Sequence, residues 1–83
     1  MYQYNTKGVC SKSIYFDIQD HKLKNVIFLG GCNGNLKGIG ALVDGMDIDE
    51  AISRLQGITC GNKTTSCPDQ LAQALIAAKA QLK

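Results

Sequence analysis

Four cysteines in a chain of 83 residues are the side chains with the greatest chemical potential in this sequence. Cys67 is the most informative of them, because it stands in the run Thr65-Ser66-Cys67-Pro68-Asp69 at the start of a predicted helix. Ser66 and Asp69 are spaced as a capping box, and proline is favoured in a first helical turn. Backbone N–H groups and the positive end of the helix dipole favour a thiolate at such a position. The run therefore predicts a reactive or metal-binding sulfur.

The other three cysteines also fall at the ends of predicted elements. Cys10 precedes the first strand of a predicted hairpin, Cys32 follows the second strand, and a short loop joins Cys60 to Cys67. Because a hairpin brings the start of its first strand beside the end of its second, we expect Cys10 and Cys32 to be neighbours. Four converging thiolates are the ligands of a tetrahedral zinc site or an iron–sulfur cluster. The pattern predicts one metal site formed by Cys10, Cys32, Cys60 and Cys67.

Two other interpretations of the cysteines stay open. Free cysteine is often a small buried apolar residue, and the sequence has no Cys-x-x-Cys pair that would make metal binding diagnostic. Alternatively, Cys67 attacks a disulfide and Cys60 resolves the intermediate, as in a thiol redox module. Alkylation discriminates between metal and redox functions, because a closed metal site protects all four thiols and a redox module leaves Cys67 reactive.

The hydrophobic pattern predicts an α+β fold, with an antiparallel sheet of two or three strands followed by three helices packed on one face. Ser13 to Ile18 alternates as a half-buried strand, and Asp20-His21 is a polar turn. Asn25 to Leu29 contains a continuous apolar run, which is typical of a strand buried on both faces or covered at its edge. Tyr2 to Thr6 is the candidate third strand, at the edge of the sheet.

Three helical segments follow the predicted hairpin. The first begins at Asn33 or Asn35 and ends at Gly45, the second runs from Asp47 to Gly57, and the third from Pro68 to about Leu82. Gly38 and Gly40 lie inside the first helix, where each costs about 1 kcal/mol relative to alanine. We expect the backbone there to approach the sheet or another helix closely. The apolar residues at helical spacing are Leu36, Ile39, Val43, Ile48, Ala51, Ile52, Leu55, Leu71, Leu75, Ala78 and Leu82.

Composition limits the classes of function. Residues 1–83 are expected to form a single domain, and so short a chain has a marginal core that gains from a metal, a disulfide or a partner. The net charge is +2, and the basic residues are scattered apart from Lys22 and Lys24 beside His21 at a solvated hairpin tip, so we expect no nucleic-acid partner. Without a signal peptide or a membrane span, a cytoplasmic protein is predicted, in which cysteines are ligands or working thiols.

Other chemistry is poorly supported by the sequence. The glycine-rich stretch Gly30 to Asn35 could cradle a phosphate at a helix start, but it lacks the spacing of a nucleotide-binding loop, so we expect no nucleotide binding. The only histidine, His21, lies in a turn, which leaves no Ser–His–carboxylate set. Asp47 and Glu50 at the start of the second helix are spaced as a capping box, and the acidic residues there fit capping and dipole interactions.

The run from Thr65 to Asp69 also spells the signature of the TSCPD domain, which the chain resembles over residues 8 to 83. The resemblance implies a module found at the C-terminus of cobalamin-dependent ribonucleotide reductases and as short stand-alone bacterial proteins. It implies an accessory role in ribonucleotide reduction, with a reductase large subunit as partner, since 83 residues cannot carry that activity alone. The alternative function is a zinc- or iron–sulfur-binding protein unconnected to nucleotides, and a second copy of the chain, forming a homodimer, is the alternative partner. The segments that resemble the TSCPD domain are Cys10-Ser11-Lys12, Gly30 to Asn35, Gly57 to Gly61 and Thr65 to Ala72.

The order of the cysteines is similar to that in the N-terminal domain of NifU-type iron–sulfur scaffold proteins. That resemblance implies a NifU-like fold in which Cys10, Cys32 and Cys67 correspond to the three scaffold cysteines. Lys12 stands where the scaffold has an aspartate, Ser66 stands where it has a histidine, and Cys60 has no counterpart. These departures favour a closed four-cysteine site over labile cluster assembly.

Overall fold

The computed structural model describes residues 2–9, 11–31, 33–59 and 61–81. One antiparallel sheet of three strands, in the order β1-β2-β3, precedes three helices. The α+β prediction is confirmed, with three strands rather than two. No helix within the described ranges is both long enough and apolar enough to cross a bilayer. The elements are β1 (Tyr2–Asn5), β2 (Ser11–Gln19), β3 (Lys22–Gly30), α1 (Asn33–Val43), α2 (Ile48–Leu55) and α3 (Cys67–Lys79).

The hairpin of β2 and β3 turns tightly at Asp20-His21. Both residues have left-handed backbone conformations, with φ of 54° and 64°. Two consecutive positive φ angles are the geometry of a type I′ turn, whose twist matches that of the strands it joins. The predicted polar turn is therefore confirmed, and it sets the pairing of Gln19 with Lys22.

A β-bulge interrupts the middle of β3. Tyr15 pairs with Ile27 and Asp17 with Lys24, so two residues of β3 oppose one residue of β2. Asn25 adopts a left-handed φ of 55° in the bulge, and its backbone N–H donates to a carboxylate oxygen of Asp44 at 3.0 Å. Polar side chains tolerate this conformation better than branched ones, which explains a polar residue inside an apolar strand.

The second half of β3 is covered on only one face. Val26 and Phe28 pack against the core, whereas Ile27 and Leu29 are 48% and 43% exposed. Of the two alternatives predicted for this apolar run, burial on both faces is wrong, whereas the edge of β3 is covered at Leu23 and Asn25 by the residues that follow α1. Burial on both faces fails because the helices lie on one face of the sheet and the described residues place nothing over the other.

The core lies between that covered face and the helices. Helix α1 packs against β3, and α2 packs mainly against α3. Tyr2 of β1 stacks on Phe16 of β2, with ring centroids 5.3 Å apart. The buried cluster is formed by Ile14, Phe16, Leu23, Val43, Ile48, Ala51, Leu71, Ala74, Leu75 and Ala78.

The two interior glycines of α1 differ in their surroundings. A Cβ added at Gly40 would lie 3.0 Å from the carbonyl oxygen of Val26, so α1 approaches β3 closely at this point. A Cβ at Gly38 would meet no atom within 4 Å. The expected close approach is confirmed for Gly40 and wrong for Gly38.

Helix α2 begins as predicted, and α3 ends earlier than predicted. The Asp47 carboxylate caps α2 by accepting from the N–H groups of Asp49 and Glu50, at 3.0 and 3.2 Å. Glu50 pairs with Arg54 one turn later, at 2.6 Å, so its carboxylate supports the helix surface rather than completing a capping box. Helix α3 ends at Lys79, and Leu82 lies outside the described residues.

Candidate cysteine site

Helix α3 starts at Cys67 and is capped by Ser66, as the sequence predicts. Ser66 has an extended backbone, and its hydroxyl oxygen accepts from the N–H of Asp69 at 3.1 Å. The same hydroxyl donates to the carbonyl oxygen of Ile58 at 2.7 Å. Pro68 occupies the first turn, where its missing N–H is not needed. The cap therefore also fixes the segment that follows α2.

The carboxylate of Asp69 is buried, with 7% of the residue exposed. It accepts hydrogen bonds from the hydroxyl of Thr65 and from the backbone N–H of Gly57, the latter at 2.8 Å. The Thr65 hydroxyl, then the Gly57 N–H, and finally the Gln73 side chain hold the pKa of Asp69 below its ordinary value, against the opposing effect of burial. Asp69 therefore stays ionised and ties the end of α2 to the start of α3.

Gln70 joins a third segment to this helix start. Its side-chain oxygen accepts from the backbone N–H of Lys7 at 3.2 Å, and its side-chain nitrogen donates to the Thr65 hydroxyl at 3.0 Å. Gln70 is buried, and buried polar groups are stable only when hydrogen-bonded. Nothing in the sequence predicts a role for Gln70, although a polar residue beside the apolar Leu71 and Ala72 was an available signal.

Cys67 contacts the base of the hairpin. Its Sγ lies 3.2 Å from the Oγ of Ser11, which is 4% exposed. Ser11 pairs with Gly30 across the sheet, so the first residue of β2 and the last of β3 both lie near the start of α3. Cys67 itself is partly buried and forms no disulfide within the described part of the chain.

Three of the four predicted ligands lie outside the described residues. These are Cys10, Cys32 and Cys60. The predicted convergence of the four sulfurs, and the redox pair of Cys60 with Cys67, therefore stay predictions. Ser11, which follows Cys10 in the sequence, contacts Cys67, and Ile58, two residues before Cys60, accepts a hydrogen bond from Ser66.

The glycines before Cys32 are explained by the backbone. Gly30 and Gly31 have φ of 79° and 81°, a left-handed conformation that glycine adopts without steric cost. The turn into α1 therefore accounts for both glycines without a bound phosphate.

His21 is exposed, as predicted for a residue of the hairpin turn, but its side chain also pairs with acidic residues at the start of α2. Its Nε2 lies 3.1 Å from Asp49 and 3.8 Å from Asp47. Asp49 also pairs with Lys79, and the Lys79 and His21 side chains lower the Asp49 pKa. The ligand atoms of His21, Asp47 and Asp49 lie within 4.8 Å of one another. Capping by Asp47 and the cation Lys79 account for these carboxylates, so the cluster ties the hairpin tip to α2 and α3.

Comparison with known proteins identifies the class of domain. The sequence of this α+β domain matches the family model for the TSCPD domain over residues 2–79. The chain therefore belongs to the TSCPD domain family. No curated protein and no solved structure matches it. The similarity to NifU-type scaffolds accordingly stays a prediction.

Proposed function

We propose that this protein is an accessory module of ribonucleotide reduction that binds a metal through Cys10, Cys32, Cys60 and Cys67. The metal is a zinc ion or an iron–sulfur cluster. The contact of 3.2 Å between Cys67 Sγ and Ser11 Oγ carries the proposal, because it joins the thiol at the helix start to the residue that follows Cys10.

The hydrogen bonds of the family signature support a shared site. Ser66 and Asp69 bind Ile58 and Gly57, and Cys60 is two residues beyond Ile58 in the sequence. Ser11 pairs with Gly30, and Cys32 is two residues beyond Gly30. Cys10, Cys32 and Cys60 are thus each within two residues, along the sequence, of a residue that pairs with or contacts this region.

The chemistry of the site fits a thiolate ligand. Cys67 lies at a helix N-terminus, where backbone N–H groups and the helix dipole favour negative charge. The neighbouring Ser11 hydroxyl is buried and can hydrogen-bond to the sulfur. A bound zinc ion would add folding free energy to a small core, and a cluster would add electron-transfer chemistry.

The link to ribonucleotide reduction rests on family membership. The TSCPD domain is known from ribonucleotide reductase-related proteins, and the family match spans residues 2–79. These 83 residues do not span a reductase barrel and substrate site, so the role proposed for this domain is as a partner of the large subunit. Co-purification with a reductase large subunit from the source cells tests this part, and its absence at native expression levels would contradict it.

The metal content of protein purified without oxygen tests the site. We expect stoichiometric zinc in a colourless protein, or iron and sulfide with visible absorption. Cys67→Ser should lose the metal, whereas Ser53→Ala, which changes an exposed residue of α2, should retain it. A folded, metal-free protein with four titratable thiols after anaerobic purification would overturn the metal site.

A thiol redox module is the second candidate. The observation that favours it is that Cys67 is partly accessible and free within the described residues. In that case the metal-free protein would form a reversible disulfide between Cys60 and Cys67, and Cys67 would be alkylated first. Peptide mass spectrometry after brief alkylation distinguishes this outcome from four equally protected thiols.

A further inference from the structure

We propose that the outer face of α1 is a self-association surface, on which a second copy of this chain packs antiparallel so that Leu42 of each copy covers Gly38 of the other. The inference is independent of the cysteines and of the proposed function. Leu42 is 78% exposed, which is the largest exposed fraction among the large apolar side chains of the described residues. A single exposed leucine is ordinary, so its surroundings on the helix carry the argument.

The outer face of α1 carries no charge. Leu36 and Val43 are buried, and Gly40 lies against β3, so these residues define the inner face of the helix. A surface helix normally places charged or polar side chains opposite its buried face. Here that opposite face is small or apolar apart from one amide. Its exposed residues are Gly34, Asn35, Gly38, Ala41 and Leu42.

Gly38 leaves room beside Leu42. A Cβ added at Gly38 would meet no atom within 4 Å, and its φ is not among the positive ones. A glycine inside a helix weakens the helix, and neither the backbone nor a neighbour requires one here. Glycine does allow another chain to approach closely. Gly38 therefore forms a notch on the outer face, one helical turn from Leu42.

The notch and the exposed leucine complement each other across a two-fold axis. Gly38 lies two residues before Gly40, and Leu42 lies two residues after it. In an antiparallel pair of α1 helices centred on Gly40, Leu42 of one copy therefore lies at the level of Gly38 of the other. The two-fold axis makes this contact twice. A surface that complements itself in this way indicates a second copy as the partner.

The charges beside this face fit the same arrangement. Lys37 and Asp44 are seven residues apart, so they lie on the same side of the helix, two turns from each other. The Asp44 N–H donates to the Gly40 carbonyl oxygen at 3.1 Å, which continues the last turn of α1. In the antiparallel pair, Lys37 of one copy and Asp44 of the other lie on the same side and within about 1.5 Å of the same level. A parallel pair would separate these opposite charges by about two turns.

Both charged groups can form this contact. Lys37 has no ion-pair partner among the described residues. One carboxylate oxygen of Asp44 accepts from the Asn25 N–H at 3.0 Å, which orients the carboxylate and leaves its second oxygen for a lysine. The antiparallel pair would thus contain two identical ion pairs.

The size of the surface predicts a weak dimer. Helix α1 has 11 residues and is about 16 Å long. A contact along one such helix is smaller than the interface of a stable dimer, so we expect reversible association that increases with protein concentration.

Sedimentation equilibrium of the full-length chain over a wide concentration range measures the association, with a reductant present to prevent disulfide-linked dimers. Leu42→Gln should weaken the association by at least about 10-fold, because each dimer loses two buried leucines. Ile76→Gln is the matched control, since it changes a leucine-sized exposed residue of α3 and should leave the association unchanged.

An exchange of charges tests the antiparallel arrangement. Lys37→Glu and Asp44→Lys each place like charges at both contacts, and each should weaken self-association by about 10-fold. In a mixture of these two variants, both contacts of a mixed dimer again join opposite charges. The mixture should therefore associate more tightly than either variant alone. Lys63→Glu makes the same change of charge in the exposed loop after α2 and should have no effect.

Circular dichroism checks that each variant is folded. Asp44→Lys removes the acceptor of the Asn25 N–H, so Lys37→Glu in added salt is a second test. Salt screens the repulsion and should return the association of Lys37→Glu toward that of the parent chain.

Three results would overturn the proposal. The first is a parent chain that stays monomeric at every concentration. The second is a dimer that Ile27→Gln weakens and Leu42→Gln does not, which would move the contact to the open face of the sheet. The third is a mixture of Lys37→Glu and Asp44→Lys, both folded, that associates no more tightly than either variant alone.

Discussion

The carboxylate of Asp69 accepts the backbone N–H of Gly57 at 2.8 Å, which joins the start of α3 to the residues just after α2. Together with the bond from Ser66 to Ile58, it closes both ends of the loop that contains Cys60. Ser66 and Asp69 of the family signature thus bind backbone groups, and Thr65 donates to the Asp69 carboxylate. The sulfur of Cys67 faces the hairpin instead.

Removing the Asp69 carboxylate should destabilise the fold. Asp69→Ala leaves the Gly57 N–H and the Thr65 hydroxyl without their acceptor, and we expect a loss of about 1–3 kcal/mol in the free energy of unfolding. Asp69→Asn keeps one acceptor oxygen and should cost less. Urea denaturation measures both. Glu50→Gln, which changes an exposed pair with Arg54, is the control and should cost only about 0.5 kcal/mol. Equal effects of Asp69→Ala and Glu50→Gln would contradict the anchoring role.

Stability should also fall in acid because of Asp69. The Thr65 hydroxyl and the Gly57 N–H lower its pKa in the folded state below the ordinary value of 3.8. A lowered folded-state pKa contributes stability that is fully present above the unfolded-state pKa and is lost as the pH falls through the folded-state pKa. Denaturation curves between about pH 2 and pH 7 should therefore decline below about pH 4, and less steeply for Asp69→Asn.

Added salt should distinguish the contribution of Asp69 to the pH dependence of stability from that of Asp49. Lys79 and His21 also lower the pKa of Asp49, but these groups are exposed, so added salt screens their interaction. The partners of Asp69 are neutral and its carboxylate is buried. At low pH the parent chain should lose more free energy of unfolding than Asp69→Asn does. In about 0.5 M salt this difference should persist, while the corresponding difference for Asp49→Asn should shrink. A difference for Asp69→Asn that vanishes with salt would exclude the hydrogen-bond explanation.

The two interior glycines of α1 should respond oppositely to alanine. Gly38→Ala adds a methyl group in open space and should stabilise the helix by up to about 1 kcal/mol. Gly40→Ala places a methyl group 3.0 Å from the Val26 carbonyl oxygen, so strain should offset the helix-propensity gain. Thermal denaturation compares the two variants directly. An equal gain in both would show that α1 can move away from β3 at no cost.

The local features of the fold were predictable because local chemistry decides them. The Asp20-His21 turn, the Asp47 cap and the Ser66 cap each depend on residues within three positions of one another. The stripes on α2 and α3 follow from helical period alone, which correctly selects Ile48, Ala51, Leu71 and Leu75 for the core.

Long-range relationships were not predictable in the same way. The apolar run of β3 does not reveal that the helices cover only one of its faces, which leaves Ile27 exposed. The hydrogen bond from the Lys7 N–H to Gln70 joins residues 63 positions apart, and the contact of Ser11 with Cys67 joins residues 56 apart. Spacing along the chain carries no information on such pairs.

The exposed face of β3 predicts a contrast between two isoleucines. Ile14 is fully buried, so Ile14→Ala should cost about 2–5 kcal/mol in the free energy of unfolding. Ile27→Ala changes a residue that is 48% exposed and should cost less than half as much. Chemical denaturation of both variants in dilute protein checks this. A comparable loss for Ile27→Ala would mean that this face is covered in solution.

Removal of metal should lower the melting temperature if the proposed site holds one. Structural metal sites supply folding free energy, and this domain has a small core. A chelator should therefore destabilise the parent protein, and restored zinc or a rebuilt cluster should reverse the change. The chelator should leave the melting temperature of Cys67→Ser unchanged. A melting curve that is the same before and after verified metal removal would reject a structural role for the metal.

Hydrogen bonds hold both ends of the loop after α2, so the length of this loop should be free to vary among family members. Residues 61–64 are exposed, and the loop ends are held from outside this stretch by Ser66 and Asp69. The entropy of closing a loop grows slowly with its length, by about 0.6 kcal/mol for each doubling. Insertions here should therefore cost little folding free energy while altering the reach between Cys60 and Cys67. Evolution can change the length of this loop without losing the fold, so the fold should outlast the proposed metal site in divergent members.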